Sequence, residues 1–307
     1  GGKRLKKKEC FLIIMKNKDE DNIIKKMIIF GGEGQLGSDM TGIISSYKII
    51  SLGHKDVDIT DFENVKNIIN KHKPSVVINC AAYNKVEDAE NNIVVAYNVN
   101  AFGPYYIARA SKEVGATCVH ISTDYVFDGS KESFNEKDCP HPINVYGASK
   151  LAGEELVRIG NPEHYIVRTS ALFGKAVGGS KGNFVTLMIR LSKDKKEIRV
   201  VNDQITVPTF TEDLAIKILE LVDKKAPYGV YHITNQGQAS WCDFARKIFN
   251  LAGISAEIKA ISTKESGTKV RRSQKSVLKN EKLIKLGIKL LSPWQDALKR
   301  YLNIIKE

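Results

Sequence analysis

The chain of 307 residues reads as an α/β protein, a doubly wound parallel sheet with a smaller, mainly helical lobe. Three observations predict this. Short apolar runs recur at helix-sized intervals, amphipathic stretches separate them, and a glycine-rich turn follows the first run. Strands that alternate with helices and are apolar throughout belong to a parallel sheet covered on both faces.

The first run, Met27-Ile28-Ile29-Phe30, leads directly into GGEGQLG at 31 to 37. Glycines 31, 34 and 37 fit G-x-x-G-x-x-G, while 32, 34 and 37 fit G-x-G-x-x-G, the dinucleotide fingerprint of a Rossmann-type fold. Glycine is needed there because the backbone turns sharply and approaches a pyrophosphate closely. Gly31, Gly34, Gln35, Leu36 and Gly37 are therefore candidate cofactor contacts. Further strands are expected at Lys48 to Leu52, Ser75 to Cys80, Thr117 to Ser122 and Tyr165 to Thr169, with helices at Asp61 to Lys71, Val94 to Val114 and Lys150 to Arg158. Ligands of such sheets sit at the carboxyl ends of the strands. Those ends are Gly31, His54, Ala81-Ala82-Tyr83, Thr123-Asp124-Tyr125 and Ser170.

Tyr146 and Lys150 lie four residues apart, so on a helix they share one face. A free phenol titrates near ~10, and a fixed neighbouring cation draws it toward neutrality, which makes the pair a candidate proton donor. From Leu172 onward a loop is expected at Gly174 to Asn183, then helices at Phe184 to Lys193, Asp213 to Asp223, Trp241 to Leu251 and Pro293 to Ile304. The chain thus divides into a basic extension (1–26), a dinucleotide-binding domain (27–171) and a substrate lobe (172–307) interleaved with it.

The chain resembles an extended short-chain dehydrogenase/reductase, and within that group the dTDP-4-dehydrorhamnose reductase family. The motifs that carry the resemblance are GGEGQLG, VDITD (57–61), VVINCAAYNKVEDAE (76–90), STDYVFDG (122–129), PINVYGASKLAGE (142–154), RTSALFG (168–174), VVNDQITVPTFTEDLA (200–215) and SPWQDALKRYL (292–302). It implies hydride transfer from a reduced nicotinamide cofactor to the C4 ketone of a nucleotide-linked 4-keto-6-deoxy sugar. By the resemblance Tyr146 protonates the developing alkoxide, Lys150 lowers the tyrosine pKa and binds the nicotinamide ribose, and Thr123 hydrogen-bonds the carbonyl oxygen. The Thr123 hydroxyl could instead cap the following turn. Asp124 and Tyr125 would line the sugar site, and Asn100 joins Ala81, Ala82 and Tyr83 in the cofactor set. Asn183, Gln204 and Arg272 are candidates for the nucleotide and diphosphate, Arg because its planar fork binds two oxygens at once. Two readings compete on the same fold: a nucleotide-sugar epimerase or dehydratase, and a non-catalytic regulatory subunit. Dehydratases of the group follow Thr-Asp with Glu, where this chain has Tyr125. The chain also departs from the family at Ala171, where a tryptophan is common, and at Arg271-Arg272-Ser273, where Arg-Pro followed by Ser is usual.

At the end of the second strand an acid would select NAD, while a cation suits a 2'-phosphate. His54 and Lys55 stand there, and Asp58 and Ile59 would flank the adenine, so NADPH is expected over NADH, though the family tolerates both. The five cysteines, at 10, 80, 118, 139 and 242, have neither disulfide nor metal spacing, and no metal is expected. They fit a reduced, cytoplasmic chain. No apolar run approaches the ~20 residues of a membrane span. The net charge of +12 includes an excess of five in residues 1–26, and the rest is spread out without a nucleic-acid motif. A basic cleft for an anionic nucleotide sugar accounts for part of it. A homodimer is compatible with the resemblance.

Overall fold

Met27 and Ile29 point to one face of strand β1 (Lys26–Phe30) and Ile28 and Phe30 to the other, and all four are buried. A strand sealed on both faces belongs to a sheet covered on both sides. In this computed structural model, which describes residues 25–43, 45–175, 182–194 and 197–306, β1 pairs in parallel with β2 (Lys48–Leu52) on one edge and β3 (Val76–Asn79) on the other. Strands β4 (Thr117–Thr123), β5 (His164–Thr169) and β6 (Gly229–His232) extend the sheet in the order β6-β5-β4-β3-β1-β2, every pairing parallel. The strand order reverses between β1 and β3, which opens a crevice above their carboxyl ends.

Two apolar layers cover the sheet. Met27, Ile29, Val119 and Val167 pack with Leu36, Met40, Leu214 and Ile218 on one face. Ile28, Phe30, Val77 and Ile166 pack with Val65, Ile69, Ile107 and Val157 on the other. The helices are α1 (Gln35–Thr41), α2 (Phe62–His72), α3 (Gly103–Glu113) and α4 (Val145–Gly160). The stretch expected as one helix from Val94 to Val114 is interrupted: Ile93–Tyr97 is α-helical, Asn98–Phe102 is a π turn, and α3 resumes at Gly103. Such turns recur at functional sites because they re-aim one side chain. Helix α4 begins at Val145, five residues before the expected start, because Asn144 caps it by accepting from Gly147 N at 2.8 Å. A cap of this kind contributes about 1 kcal/mol and brings Tyr146 into the first helical turn.

Helices α5 (Phe184–Asp194), α7 (Trp241–Ala252) and α8 (Trp294–Lys306) enclose a separate aromatic core of Phe173, Phe210, Phe244, Trp294 and Tyr301. Short strand pairs frame it, the longest being Glu197–Val201 with Glu257–Ile261. Helix α6 (Thr211–Asp223) and β6 come from the same half of the chain yet pack on the large sheet. Residues 1–24 of the expected extension and residues 176–181 of the expected loop lie outside the described residues. Among the described residues no helix is long and apolar enough to cross a membrane.

Candidate functional site

Glycines 31, 34 and 37 make the floor of the crevice. Gly31 has φ +76, and a Cβ there would lie 2.5 Å from Ala81 N, so only glycine lets the ends of β1 and β3 approach this closely. A side chain at Gly37 would overlap the Gly31 carbonyl. Gly34 is the N-cap of α1 and has only the Gly31 carbonyl near its missing Cβ. The chain therefore uses the 31, 34, 37 spacing as a bare backbone cradle, which fits a pyrophosphate. Above it is a cavity of about 740 Å³, large enough for a dinucleotide with part of a second ligand.

Of the residues named from sequence, Gly31, Gly34, Gln35, Leu36, His54, Asp58, Ile59, Ala81, Ala82 and Tyr83 line this cavity. Thr123, Asp124, Tyr125, Tyr146, Lys150 and Arg272 line it as well. Asn100 stands behind it in the π turn, fully buried, accepting from Tyr83 N at 2.8 Å and donating to Tyr83 O and Ser149 Oγ, each at 3.0 Å. It shapes the wall at Tyr83 without facing the cavity. Gly37 acts through packing, and Lys55 is exposed outside the lining. Gln204 lines a side niche of about 30 Å³ that shares Asp124, Tyr125, Ala171, Trp241 and Arg272 with the main cavity. Asn183 does not reach either space. Its amide donates to Tyr301 Oη at 2.8 Å and Gly174 O at 3.0 Å, so it ties the start of α5 to α8.

The polar wall opposite the cradle is built by β4 and α4. Tyr146 stacks edge-on to Tyr125 with ring centroids 5.4 Å apart. Burial pushes the Tyr146 phenol above its ordinary value, against a downward pull from the neighbouring Thr123 hydroxyl. Lys150, 2% exposed, donates to Ile121 O at 2.7 Å, and burial of the phenol is the largest influence on its titration. Burial lowers Lys150 itself to about 8, with Glu154 and Cys80 pulling the other way. Thr123 has two roles at once, since its hydroxyl also accepts from Tyr125 N at 3.2 Å and caps the following turn.

Asp124 is buried beneath the cavity and its carboxyl is pushed up to about 6 by desolvation. Hydroxyls of Ser276, Thr123 and Thr206 donate to it and pull the other way. Arg272 bridges the cleft, donating to Tyr125 Oη at 3.0 Å and pairing with Glu87 on the short helix Val86–Ala89.

Sequence reasoning did not single out Glu33, Cys80, Asn84 or Trp241, all of which line the cavity. Cys80 and Asn84 flank the named segment after β3 and were findable by contiguity. Glu33 lies inside the glycine loop, with its carboxylate against Gly53. Trp241 has no local signal; it starts α7, packs on Phe184 with ring centroids 4.7 Å apart, and lines the cavity together with Ala171. Ala171 holds φ +42, a conformation rare for a residue with a Cβ.

The family described as "RmlD substrate binding domain" matches residues 25–307. The spore coat polysaccharide biosynthesis protein SpsK of Bacillus subtilis is 39% identical, over 91% of this chain and 97% of that protein. A dTDP-4-dehydrorhamnose reductase of Aggregatibacter actinomycetemcomitans is 37% identical, over 89% of this chain and 97% of that protein. The structure of a dTDP-4-dehydrorhamnose reductase from Bacillus anthracis in complex with NADP superposes with a TM-score of 0.88 at 40% identity, covering 93% of this chain and 100% of that one. With its glycine cradle, the Thr123, Tyr146 and Lys150 wall and these likenesses over nearly its whole length, the chain belongs to the dTDP-4-dehydrorhamnose reductase family.

Proposed function

We propose that the protein reduces the C4 ketone of a nucleotide-linked 4-keto-6-deoxy sugar, dTDP-4-dehydro-L-rhamnose, with NADPH. The observation that carries this is the meeting of Thr123, Tyr146 and Lys150 on one wall of the cavity whose floor is the glycine cradle. NADPH, when bound, supplies the hydride. Gly31, Gly34, Gln35 and Leu36 hold the pyrophosphate, Asp58 and Ile59 the adenine, and Lys150 the ribose nearest the reaction. The Thr123 hydroxyl orients the ketone oxygen, and Tyr146 gives it a proton as negative charge develops there.

The raised Tyr146 phenol suits this direction of reaction, because a buried phenol stays protonated at neutral pH and can donate. The phenolate left behind needs a nearby cation. Lys150, at about 8, is mostly charged at pH 7 and supplies it. Asp124 and Tyr125 contact the sugar, and Arg272 and Gln204 the phosphates and nucleotide. The small Ala171 and the ring of Trp241 bound the space beside the sugar. Tyr125 at the position where dehydratases carry Glu weighs against dehydration, and the acid at Tyr146 against a purely regulatory subunit. The reading includes a cytoplasmic enzyme acting on a soluble substrate, with a homodimer as the assembly for light scattering to test.

The deciding experiment incubates the protein with dTDP-4-keto-6-deoxy sugar and NADPH and follows absorbance of the reduced cofactor. Stoichiometric oxidation of NADPH with appearance of the reduced sugar is expected. Intact NADPH binding without oxidation would refute the reading.

A further inference from the structure

Tyr146, Lys150 and Glu154 are spaced four apart on α4 and form one polar stripe along its buried face. Glu154 is fully buried and is not among the residues lining the cavity. Its Oε1 accepts from Ser122 Oγ at 2.5 Å and from Arg168 Nε at 2.9 Å, and its Oε2 accepts from Arg168 Nη2 at 2.6 Å. One residue earlier on β4, the Ile121 carbonyl accepts from Lys150 Nζ at 2.7 Å. One residue later stands Thr123. Two successive residues at the end of β4 are thus gripped by two successive turns of α4, and the next residue faces the ketone in the proposed reaction.

We propose that Glu154 is a positioning residue of the reductase site, holding the Lys150 ammonium and the Thr123-bearing end of β4 in one arrangement through Ser122 and Arg168. Its charge acts on Lys150, and its hydrogen bonds act on the side chains of Ser122 and Arg168. The other groups bearing on Lys150 are Cys80 from the end of β3 and His120 from β4. His120 is held neutral by burial and by the lysine, so it adds no opposing cation. The thiol of Cys80 is pushed up to about 12 by burial and is uncharged at neutral pH. Glu154 is therefore the one anion in this group, and Arg168, stacked over Phe127 at 5.2 Å, keeps that anion in place from β5.

The inference rests on the reductase reading only through the place of Lys150 at the cofactor, so the test is NADPH binding across pH by fluorescence, with no sugar present. In the unsubstituted protein affinity should fall as pH rises through about 8, where Lys150 loses its charge. In Glu154→Gln, which keeps the shape and removes the charge, that fall should begin about one pH unit lower. Ser122→Ala keeps the charge and should keep the original inflection. If Glu154→Gln alone fails to fold, Glu154→Gln combined with Arg168→Gln removes the buried pair and should show a downward displacement smaller than that of Glu154→Gln, because a cation leaves with the anion. Curves for either charge-removing variant that superpose on the unsubstituted protein would overturn the proposal, as would an equal displacement in Ser122→Ala. Absence of turnover of the keto sugar by the unsubstituted protein, with the pH curves as expected, would instead count against the function proposed above.

Discussion

Replacing Asp124 with Asn should make the protein more stable at neutral pH and leave it little changed in acid. Desolvation raises the Asp124 carboxyl from an unfolded value of 3.8 to about 6 despite three hydroxyl donors. Between those values the native protein holds a proton that the unfolded chain has released, so the stability this group contributes is complete below the unfolded value and is lost as pH rises through the folded one. A displacement of about two units corresponds to about 3 kcal/mol, since one unit is about 1.4 kcal/mol. Asn carries no charge to desolvate, and the hydroxyls of Ser276 and Thr206 can turn to accept from its amide. Urea unfolding followed by far-UV circular dichroism at about pH 4 and about pH 7.5 measures the difference. The variant should gain on the parent by roughly 2–3 kcal/mol between the two conditions. Parallel stabilities, or a variant that loses ground as pH rises, would refute the reasoning and mean that the hydroxyl donors outweigh burial. A stabilised variant that turns over poorly is also expected, because a residue kept at a cost in stability at the cavity wall is the kind function retains.

Other outcomes separate the roles of the remaining residues. Tyr146→Phe should lose most turnover while NADPH still binds, whereas Lys150→Ala should weaken both; equal, small losses in steady-state rate and cofactor titration would contradict the assignment. Steady-state reduction should be faster with NADPH than with NADH, because His54 lines the cavity at the end of β2. A clear preference for NADH would point instead to Glu33, whose carboxylate lies against Gly53. Asn100→Ala should strip the Tyr83 backbone of two buried hydrogen bonds, lowering stability by about 2–4 kcal/mol in urea melts. NADPH affinity should fall with it, since Tyr83 lines the cavity.

Much of the fold could be read from the chain because its signals are local. Both-face burial of β1 follows from four consecutive apolar residues, the turn after it from glycines that alone admit the backbone, and the shared face of Tyr146 and Lys150 from helical period. The cavity residues contributed by the ends of β1 to β4 were legible for the same reason, since a parallel sheet delivers successive strand ends to one edge. Side-chain partners and desolvation were not legible, because they depend on segments far apart in sequence. The hydrogen bond from the Asn183 amide to Tyr301, 118 residues away, has no signal in the sequence around either residue. Trp241 has nothing in its neighbourhood to mark it, and the packing of the lobe brings it to the same cavity as Ala171. The pairing of Tyr146 with Lys150 came from spacing alone, but the state of the phenol is set first by the walls that bury it, against the Thr123 hydroxyl. Periodicity in a sequence says which side chains share a face; how far those side chains are removed from water, and which charges remain beside them, is decided only when distant elements close over them.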